Sequence, residues 1–359
     1  MMDQSLYITA LVETAEAWSA LDYNIRREAE LLSLDAQNRF TEEALVFAIN
    51  QQMSQLTADG LKSWIPDVAS ESKTIGVLNP GNIPFVGLQD FIAVTLSGHQ
   101  YAGTVSSKSP ALLPAFVNDL TRRLEKYASF ENGFKPEFIS FEDLLICADA
   151  IIASGSDETI KIVEDACSEN GIKKNCRLLR RNRFSIAVLS GAESAAELES
   201  IAEDALLHEG LGCRNVSIIW APESATPDAL LNAMAEFRAA FPVHPDTAGS
   251  LKMTQAYMRA VDQPHGYGDN MEFLVSKGEA EIQMPGHIRW VEYTNLADVK
   301  HWMDTHQSHL QLVVCSAPIA DKLGISDYIS HVLPGFAQRP ELSWCPDKVS
   351  IPEFLTRLS

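Results

Sequence analysis

Positive charge is scarce in this sequence: 28 Lys and Arg stand against 48 Asp and Glu, a formal net charge of −20. Binding to a nucleic-acid backbone rests on a basic footprint, so the composition argues against nucleic acid as a partner. The one basic run, "KKNCRLLRRNR" (173–183), is local. It reads either as a solvated face or as an attraction for a small molecule carrying phosphates. Long apolar runs are missing too, and nothing approaches the length of a membrane span. The opening stretch, "MMDQSLYITALVETAEAW", has no basic start and mixes acids among its apolar residues, so no signal peptide or anchor is expected. There is no CxxC pair. The six cysteines, Cys147, Cys167, Cys176, Cys213, Cys315 and Cys345, are scattered, and the nine histidines do not cluster. That pattern excludes a disulfide framework and a zinc motif, and it predicts reduced thiols, a cytoplasmic location and no metal site. Also absent are a GxGxxG fingerprint, internal repeats and low-complexity linkers.

What is present is an ordinary globular balance, 46% hydrophobic and 21% charged over 359 residues, long enough for two domains. The first 70 residues read as helices. From "KTIGVLNPGNIPF" (73–85) onward, short apolar strands alternate with helices. "SDETIKIVEDACSENG" is a well-signalled helix, with Ser156 or Asp157 as cap and Gly171 as stop. The same grammar returns after residue 185. "SIAVLSG" and "NVSIIWAP" are strand-like, and the acidic helix between them is expected to end at Gly210. "TPDALLNAMAEFRAAF" opens with Thr226 as cap and Pro227 in the first turn. Between about 243 and 290, loop and helix signals mix. Alternating strands and helices imply parallel sheets covered on both faces, an α/β fold.

One stretch raises a chemical question. In "LHEGLGCRNVS" (207–217) a helix-like run stops at glycine, and Cys213 follows a second glycine just before a strand. A thiol with a pKa near ~8.5 is only a few per cent thiolate at neutral pH, so a nucleophilic cysteine needs positive potential around it. A glycine-rich turn lets backbone amides approach closely. Any other cysteine is by default a small packing residue.

Four stretches, taken in order, resemble one family. "NIPF" (82–85) is similar to the Asn/Pro/Phe element of aldehyde dehydrogenases, and "SSKSPALLP" (106–114) to their post-strand Lys/Ser/Pro segment. "ASGS" (153–156) is similar to their strand-to-helix turn, and "GLGCRNVS" (210–217) to their nucleophile motif. With an ending like "DKVSIPEFL", the set most resembles the acyl-CoA reductases typified by the fatty-acid reductase of bacterial bioluminescence, over roughly residues 70–359. The resemblance implies an aldehyde dehydrogenase-like fold of two doubly wound α/β domains. Residues 1–185 would hold the N-terminal helices and the nicotinamide domain. Residues 186–320 would form the catalytic domain, and 321–359 would return to the first domain or to an oligomer interface.

It also implies reduction of an acyl-CoA or other activated acyl group to the aldehyde with NADPH, or alternatively NADH. Cys213 would be the nucleophile. Asn82 would donate to the oxyanion, where losing one donor typically costs about 3–4 kcal/mol of barrier. Gly155, Ser156, Ser106 and Lys108 would meet the cofactor. A homo-oligomer and an acyl-activating or acyl-transfer protein partner are further implications. The family's hydrolytic glutamate has its nearest counterpart at Val188 in "VLSG" (188–191), which favours reduction over hydrolysis. Glu193 and Glu209 are expected to face solvent. Glu292, His265 and His287 receive no assigned role, the histidines being expected in open loops. Two other readings stand beside this one: an acyl-phosphate reductase of the glutamyl-phosphate type, and a degenerate homologue serving as a partner-binding subunit.

Overall fold

The computed structural model describes residues 3–65, 67–127, 134–325 and 329–358. The chain divides into two compact units. One comprises Met1–Asn38, Leu45–Asn182 and Glu341–Ser359, the other Arg39–Ala44 and Arg183–Pro340.

Helices α1 (Gln4–Ser19), α2 (Asn24–Leu34), α3 (Glu42–Gln55) and α4 (Ala58–Trp64) precede the first strand. The Asp3 side chain starts α1 by accepting the Ser5 and Leu6 N–H groups. Tyr7, Leu11, Thr14 and Trp18 recur at helical spacing and are buried. The first sheet is built from β1 (Thr74–Leu78), β2 (Gln100–Gly103), β3 (Glu137–Phe138), β4 (Ala150–Ser154) and β5 (Arg177–Arg180). The helices between its strands are α5 (Leu88–Leu96), α6 (Leu112–Leu124), α7 (Phe141–Cys147) and α8 (Asp157–Glu169). The strand order is β3-β2-β1-β4-β5, and every pairing is parallel. Strand order reverses between β1 and β4. In open parallel sheets, ligands bind outside the carboxyl ends of the strands at such a switch point.

The second unit contains β6 (Phe184–Val188), α9 (Ala195–Leu206), β7 (Val216–Pro222), α10 (Asp228–Ala240) and α11 (Pro245–Ala260). It continues with β8 (His265–Tyr267), β9 (Leu274–Lys277), β10 (His287–Tyr293), α12 (Leu296–Thr305), β11 (Leu310–Val314), α13 (Ala317–Leu323) and β12 (Ser330–Val332). The order is β12-β11-β6-β7-β10-β9-β8, parallel except for β8 against β9. Each face carries its own core. Ala187 joins Leu206, Met234 and Trp290 on one side, while Ile186 and Val188 join Val299, Met303 and Val313 on the other. A strand buried on both faces reads as a near-continuous apolar run, as "IAV" (186–188) does.

In the first unit, the Gln89 side chain holds the returning C-terminal segment through the Leu342 and Trp344 carbonyls, both at 2.8 Å. That segment ends in α14 (Ile351–Thr356), which packs on α5. Among the described residues, no helix is long and apolar enough to cross a membrane.

Two helix boundaries differ from expectation. Helix α9 stops at Leu206, four residues before Gly210, because the chain turns left-handed at His208. Helix α10 begins at Asp228 without a side-chain cap, since the Thr226 hydroxyl donates to the Asp228 carboxylate at 2.7 Å instead. The mixed stretch after 243 holds the four-turn helix α11.

Candidate active site

Cys213 occupies a closed turn immediately before β7. The Asn215 N–H donates to the Gly212 carbonyl at 3.0 Å, which puts Cys213 and Arg214 at the two central positions. The Gly212 N–H returns a bond to Asn215 Oδ1 at 2.8 Å. Asn215 Nδ2 reaches back to the carbonyls of Asp204, Ala205 and Leu207, at 3.1, 3.3 and 2.8 Å, and so satisfies the end of α9. From β6, the Ser185 hydroxyl donates to the Cys213 carbonyl at 2.8 Å. One asparagine and one serine thus fix the turn from both of its ends.

The approach to the turn is strained. His208 (φ 53°), Glu209 (φ 59°) and Gly210 (φ 71°) are consecutive left-handed residues. For a non-glycine residue this costs about 1–2 kcal/mol, and such residues persist where the surroundings enforce them. Here Glu209 is the anchor. It is 3% exposed, accepts Arg238 Nη1 at 2.9 Å and the His244 N–H at 3.3 Å. Arg238 is held in turn by the Glu272 carbonyl at 3.1 Å and the Phe241 carbonyl at 3.3 Å. Gly210 has no room for a side chain, because a Cβ there would lie 3.0 Å from the Gly286 nitrogen. Burial pulls His208 down to about 4, so its imidazole is neutral at physiological pH.

Cys213 is half-buried, as are Cys176 and Cys345; Cys147 is exposed, and Cys167 and Cys315 are buried. Burial raises the thiols of Cys147, Cys167 and Cys345 above their ordinary range, and that of Cys315 to about 12. Among the described residues, no group of three or more His, Cys, Asp or Glu side chains is arranged to hold a metal ion.

Several expectations need correction. Glu209 does not face solvent: it is a buried ion-pair partner whose counter-charge, Arg238, lies 29 residues further along. His287 is not in an open loop. It begins β10 at 2% exposure, hydrogen-bonds Ser276 Oγ through Nε2 at 2.8 Å, and is driven to about 3 by burial and by the Arg289 and His265 charges. His265 starts strand β8, with Nδ1 2.6 Å from the Gln263 carbonyl. Val188 is 1% exposed within the core around Trp220 and Val313. A carboxylate at that position would point into hydrocarbon, so its absence carries no information about hydrolysis. Glu292 is partly exposed and paired with Lys277. The basic run is largely occupied within the protein. Arg180 grips Asp90 through two bonds of 2.8 and 2.9 Å, Arg177 donates to the Ile172 and Glu164 carbonyls, and Arg181 meets Glu164 at 3.2 Å.

In the first unit, the loops after β1 and β2 lie against each other. A Cβ on Gly81 would fall 2.2 Å from Ser106 Oγ and 3.1 Å from the Lys108 Cβ, so the segment bearing Asn82 rests on the segment bearing Ser106 and Lys108. Phe85 anchors this arrangement. It is left-handed (φ 57°), 2% exposed, and packed edge-on against Trp18 at 5.6 Å and Phe116 at 5.9 Å. Trp18 comes from α1, so the N-terminal helices buttress the turn that carries Asn82. Lys108 is exposed, and its carbonyl accepts Asn38 Nδ2 at 2.8 Å. Gly155 and Ser156 stand at the carboxyl end of β4, beside β1 at the switch point. Ser156 caps α8 by accepting the Thr159 N–H at 3.1 Å.

A nicotinamide cofactor can be tested against these residues. A pocket lined by Asn79, Gly87, Thr104, Ser106, Ser109 and Phe138 opens beside β1 and β2. Asn79 donates to Tyr101 and to the Thr104 carbonyl, which leaves its buried Oδ1 without a partner. That oxygen lies against Gly87, where a Cβ would fall 2.0 Å from it, so it is not presented to a ligand, and the pocket's open polar groups are the hydroxyls of Thr104, Ser106 and Ser109. The start of α8 suits a diphosphate less well, because Asp157 and Glu158 add negative charge in its first turn. The pocket, with about 270 Å³ of empty space, offers hydroxyls to a ribose but does not enclose a dinucleotide, and the helix end does not suit a diphosphate.

In comparison with known proteins, the chain matches no family profile and no curated protein. Solved structures do match it. An oxidoreductase from Marinobacter aquaeolei superposes with a TM-score of 0.71 at 12% identity, covering 97% of this chain and 81% of that one. An indole-3-acetaldehyde dehydrogenase complexed with NAD+ gives 0.68 at 12%, covering 93% and 77%. The substrate-bound AldH of Staphylococcus aureus gives 0.64 at 15%, covering 92% and 81%. Likeness at such identities establishes the fold. It is α/β with parallel sheets, aldehyde dehydrogenase-like, as the sequence led us to expect.

Proposed function

We propose that this chain is a nicotinamide-dependent oxidoreductase that reduces an acyl-CoA, or another activated acyl group, to the aldehyde through an acyl-cysteine on Cys213. The observation that carries this reading is the turn itself. A half-buried cysteine is fixed at its carbonyl by Ser185 and across the turn by Asn215, after a strained approach anchored by the buried Glu209–Arg238 pair and the His244 amide. Left-handed residues also follow Cys345, at Asp347 and Lys348, so it is the hydrogen-bonded turn rather than the strain that singles out Cys213.

The Cys213 thiolate attacks the acyl carbonyl carbon, a carbon–sulfur bond forms, and the bond to the leaving thiol breaks. The family resemblance gives Asn82 the role of donor to the oxyanion. The cofactor, when bound, supplies hydride to the acyl carbon. The resulting thiohemiacetal takes up a proton and collapses to the aldehyde, freeing the cysteine. The family resemblance gives Ser106, Lys108, Gly155 and Ser156 the role of meeting the cofactor; Ser106 lies among hydroxyls that suit a ribose, whereas the acidic first turn of α8 beside Ser156 disfavours a diphosphate. Glu209, the carboxylate nearest to Cys213 in the sequence, is locked to Arg238 and the His244 amide and is not free to activate water. That favours reduction of the acyl-enzyme over its hydrolysis.

The test is oxidation of NADPH and NADH with acyl-CoAs of graded chain length, run beside Cys213→Ala. Turnover with one class of chain length, abolished in the variant, supports the reading. Turnover that survives in Cys213→Ala removes the cysteine from the mechanism. If no thioester or acyl phosphate is turned over and no cofactor stabilises the fold, the partner-binding reading is favoured. A ligand at 100 times its Kd adds about 2.7 kcal/mol to folding, which a thermal shift detects.

A further inference from the structure

Three strands at one edge of the second sheet bring polar side chains into one row. Arg289 on β10 stands opposite Ser276 on β9, which stands opposite His265 on β8. His287 lies two residues before Arg289 and so shares its face of the sheet. Ser276, His287 and Arg289 are each more than nine-tenths buried. Ser276 Oγ is their hub: it accepts Arg289 Nη1 at 2.8 Å and lies 2.8 Å from His287 Nε2. His265 is complete by itself, with Nδ1 on the Gln263 carbonyl at 2.6 Å and Nε2 3.3 Å from Gln255 Nε2 on α11.

The other two side chains have donors left over. A guanidinium only donates, so the Ser276 hydroxyl accepts from Arg289 and gives its own proton to His287 Nε2. The imidazole hydrogen then sits on Nδ1, which is enclosed and has no partner. Arg289 uses Nη1 for Ser276 and for the Lys277 carbonyl at 3.3 Å, while its Nε is likewise enclosed and without a partner. The edge formed by Nε and Nη2, the one that meets an oxyanion through two parallel bonds, makes no hydrogen bond among the described residues. No described carboxylate pairs with this arginine; burial lowers it, and the charge of Glu281, exposed in the loop before β10, raises it only in part. The guanidinium lies beneath Gly278, an exposed residue where a Cβ would fall 2.7 Å from Nη1, so any other side chain there would cover it.

We propose that Arg289 and His287 form a binding site for a phosphate group, entered beside Gly278: the Nε–Nη2 edge of Arg289 grips two oxygens and His287 Nδ1 a third, with Ser276 holding both side chains in register. Buried donors without acceptors are rare in a folded protein, and here those of two side chains gather round one hydroxyl. Three donors ask for three oxygens, which a phosphate supplies one apiece and a carboxylate does not. The proposal does not depend on Cys213 being a nucleophile.

The test is equilibrium dialysis of labelled inorganic phosphate against the full-length protein at constant ionic strength, with chloride as the balancing anion. Wild type is compared with Arg289→Lys and Glu281→Gln. Saturable uptake is expected in wild type. Lysine keeps the charge but not the two-bonded edge, so Arg289→Lys should weaken uptake roughly tenfold. Glu281→Gln removes a repelling charge from an exposed position and should tighten uptake about twofold or more. No saturable uptake in wild type, or uptake unchanged in Arg289→Lys, overturns the proposal. If circular dichroism shows Arg289→Lys unfolded, Glu281→Gln decides, and uptake that stays or weakens there overturns it. CoA and dephospho-CoA then serve as competitors. Displacement by CoA alone supports a site for the phosphomonoester of a nucleotide, and displacement by neither supports one for free phosphate.

Discussion

The Ser185 hydroxyl donates to the Cys213 carbonyl at 2.8 Å, so the first strand of the second sheet holds the candidate nucleophile through its backbone and leaves the thiol unencumbered by that bond. Ser185→Ala should cost about 1 kcal/mol of stability, the worth of one buried hydrogen bond. Its effect on acyl transfer should fall on kcat with KM little changed, which steady-state kinetics will show.

Asn215 does more. Its side chain makes four hydrogen bonds, to Gly212 and to the carbonyls of residues 204, 205 and 207. Asn215→Ala should destabilise the protein by about 3 kcal/mol, because at roughly 1 kcal/mol each several buried partners lose their bonds together. Urea denaturation measures this, and a change under ~1 kcal/mol contradicts it.

The Glu209–Arg238 pair is buried on both sides, at 3% and 2% side-chain exposure. Removing one partner strands the other charge, so Glu209→Ala should cost roughly 3–5 kcal/mol. The double variant Glu209→Ala/Arg238→Met should cost less than the sum of the two single changes, the signature of direct coupling.

Asp204 gives a pH dependence of definite sign. Burial raises its folded-state value to about 7, above the ordinary 3.8, so the folded protein binds its proton more tightly than the unfolded chain does. Its contribution is therefore fully present below about pH 4 and is lost as pH rises towards 7. The stability of wild type minus that of Asp204→Asn should fall across this window, by at most about 1.4 kcal/mol per pH unit. A flat difference contradicts the assignment.

Much of the fold was legible locally. In β6 and β7, "IAV" (186–188) and "IIWA" (218–221) are unbroken apolar runs because the strands are buried on both faces there, and Ser156 announced α8 through its cap. Helix α11 was not legible. Its outer face carries Met253 and Tyr257, both exposed, which blurs the apolar stripe that marks a helix. The site divides in the same way. Cys213 stood out because two glycines precede it. Glu209 did not, since its burial depends on Arg238 and the His244 amide, and no local pattern encodes partners so distant in sequence. Val188 misled for the opposite reason: a short motif suggested an equivalence, and only the sheet shows that its side chain lies in the core. Ala337 bonds Asp204 and Arg214 from a proline-rich tail whose sequence gives no sign that either awaits it.

The most direct test of the account is to incubate the protein with acyl-CoA in the absence of cofactor and locate the acyl group by peptide mass spectrometry. The account predicts a thioester on Cys213, labile to hydroxylamine and discharged as aldehyde when reduced cofactor is added. An acyl group on another cysteine, or none on Cys213 under conditions where reduction proceeds, would contradict it.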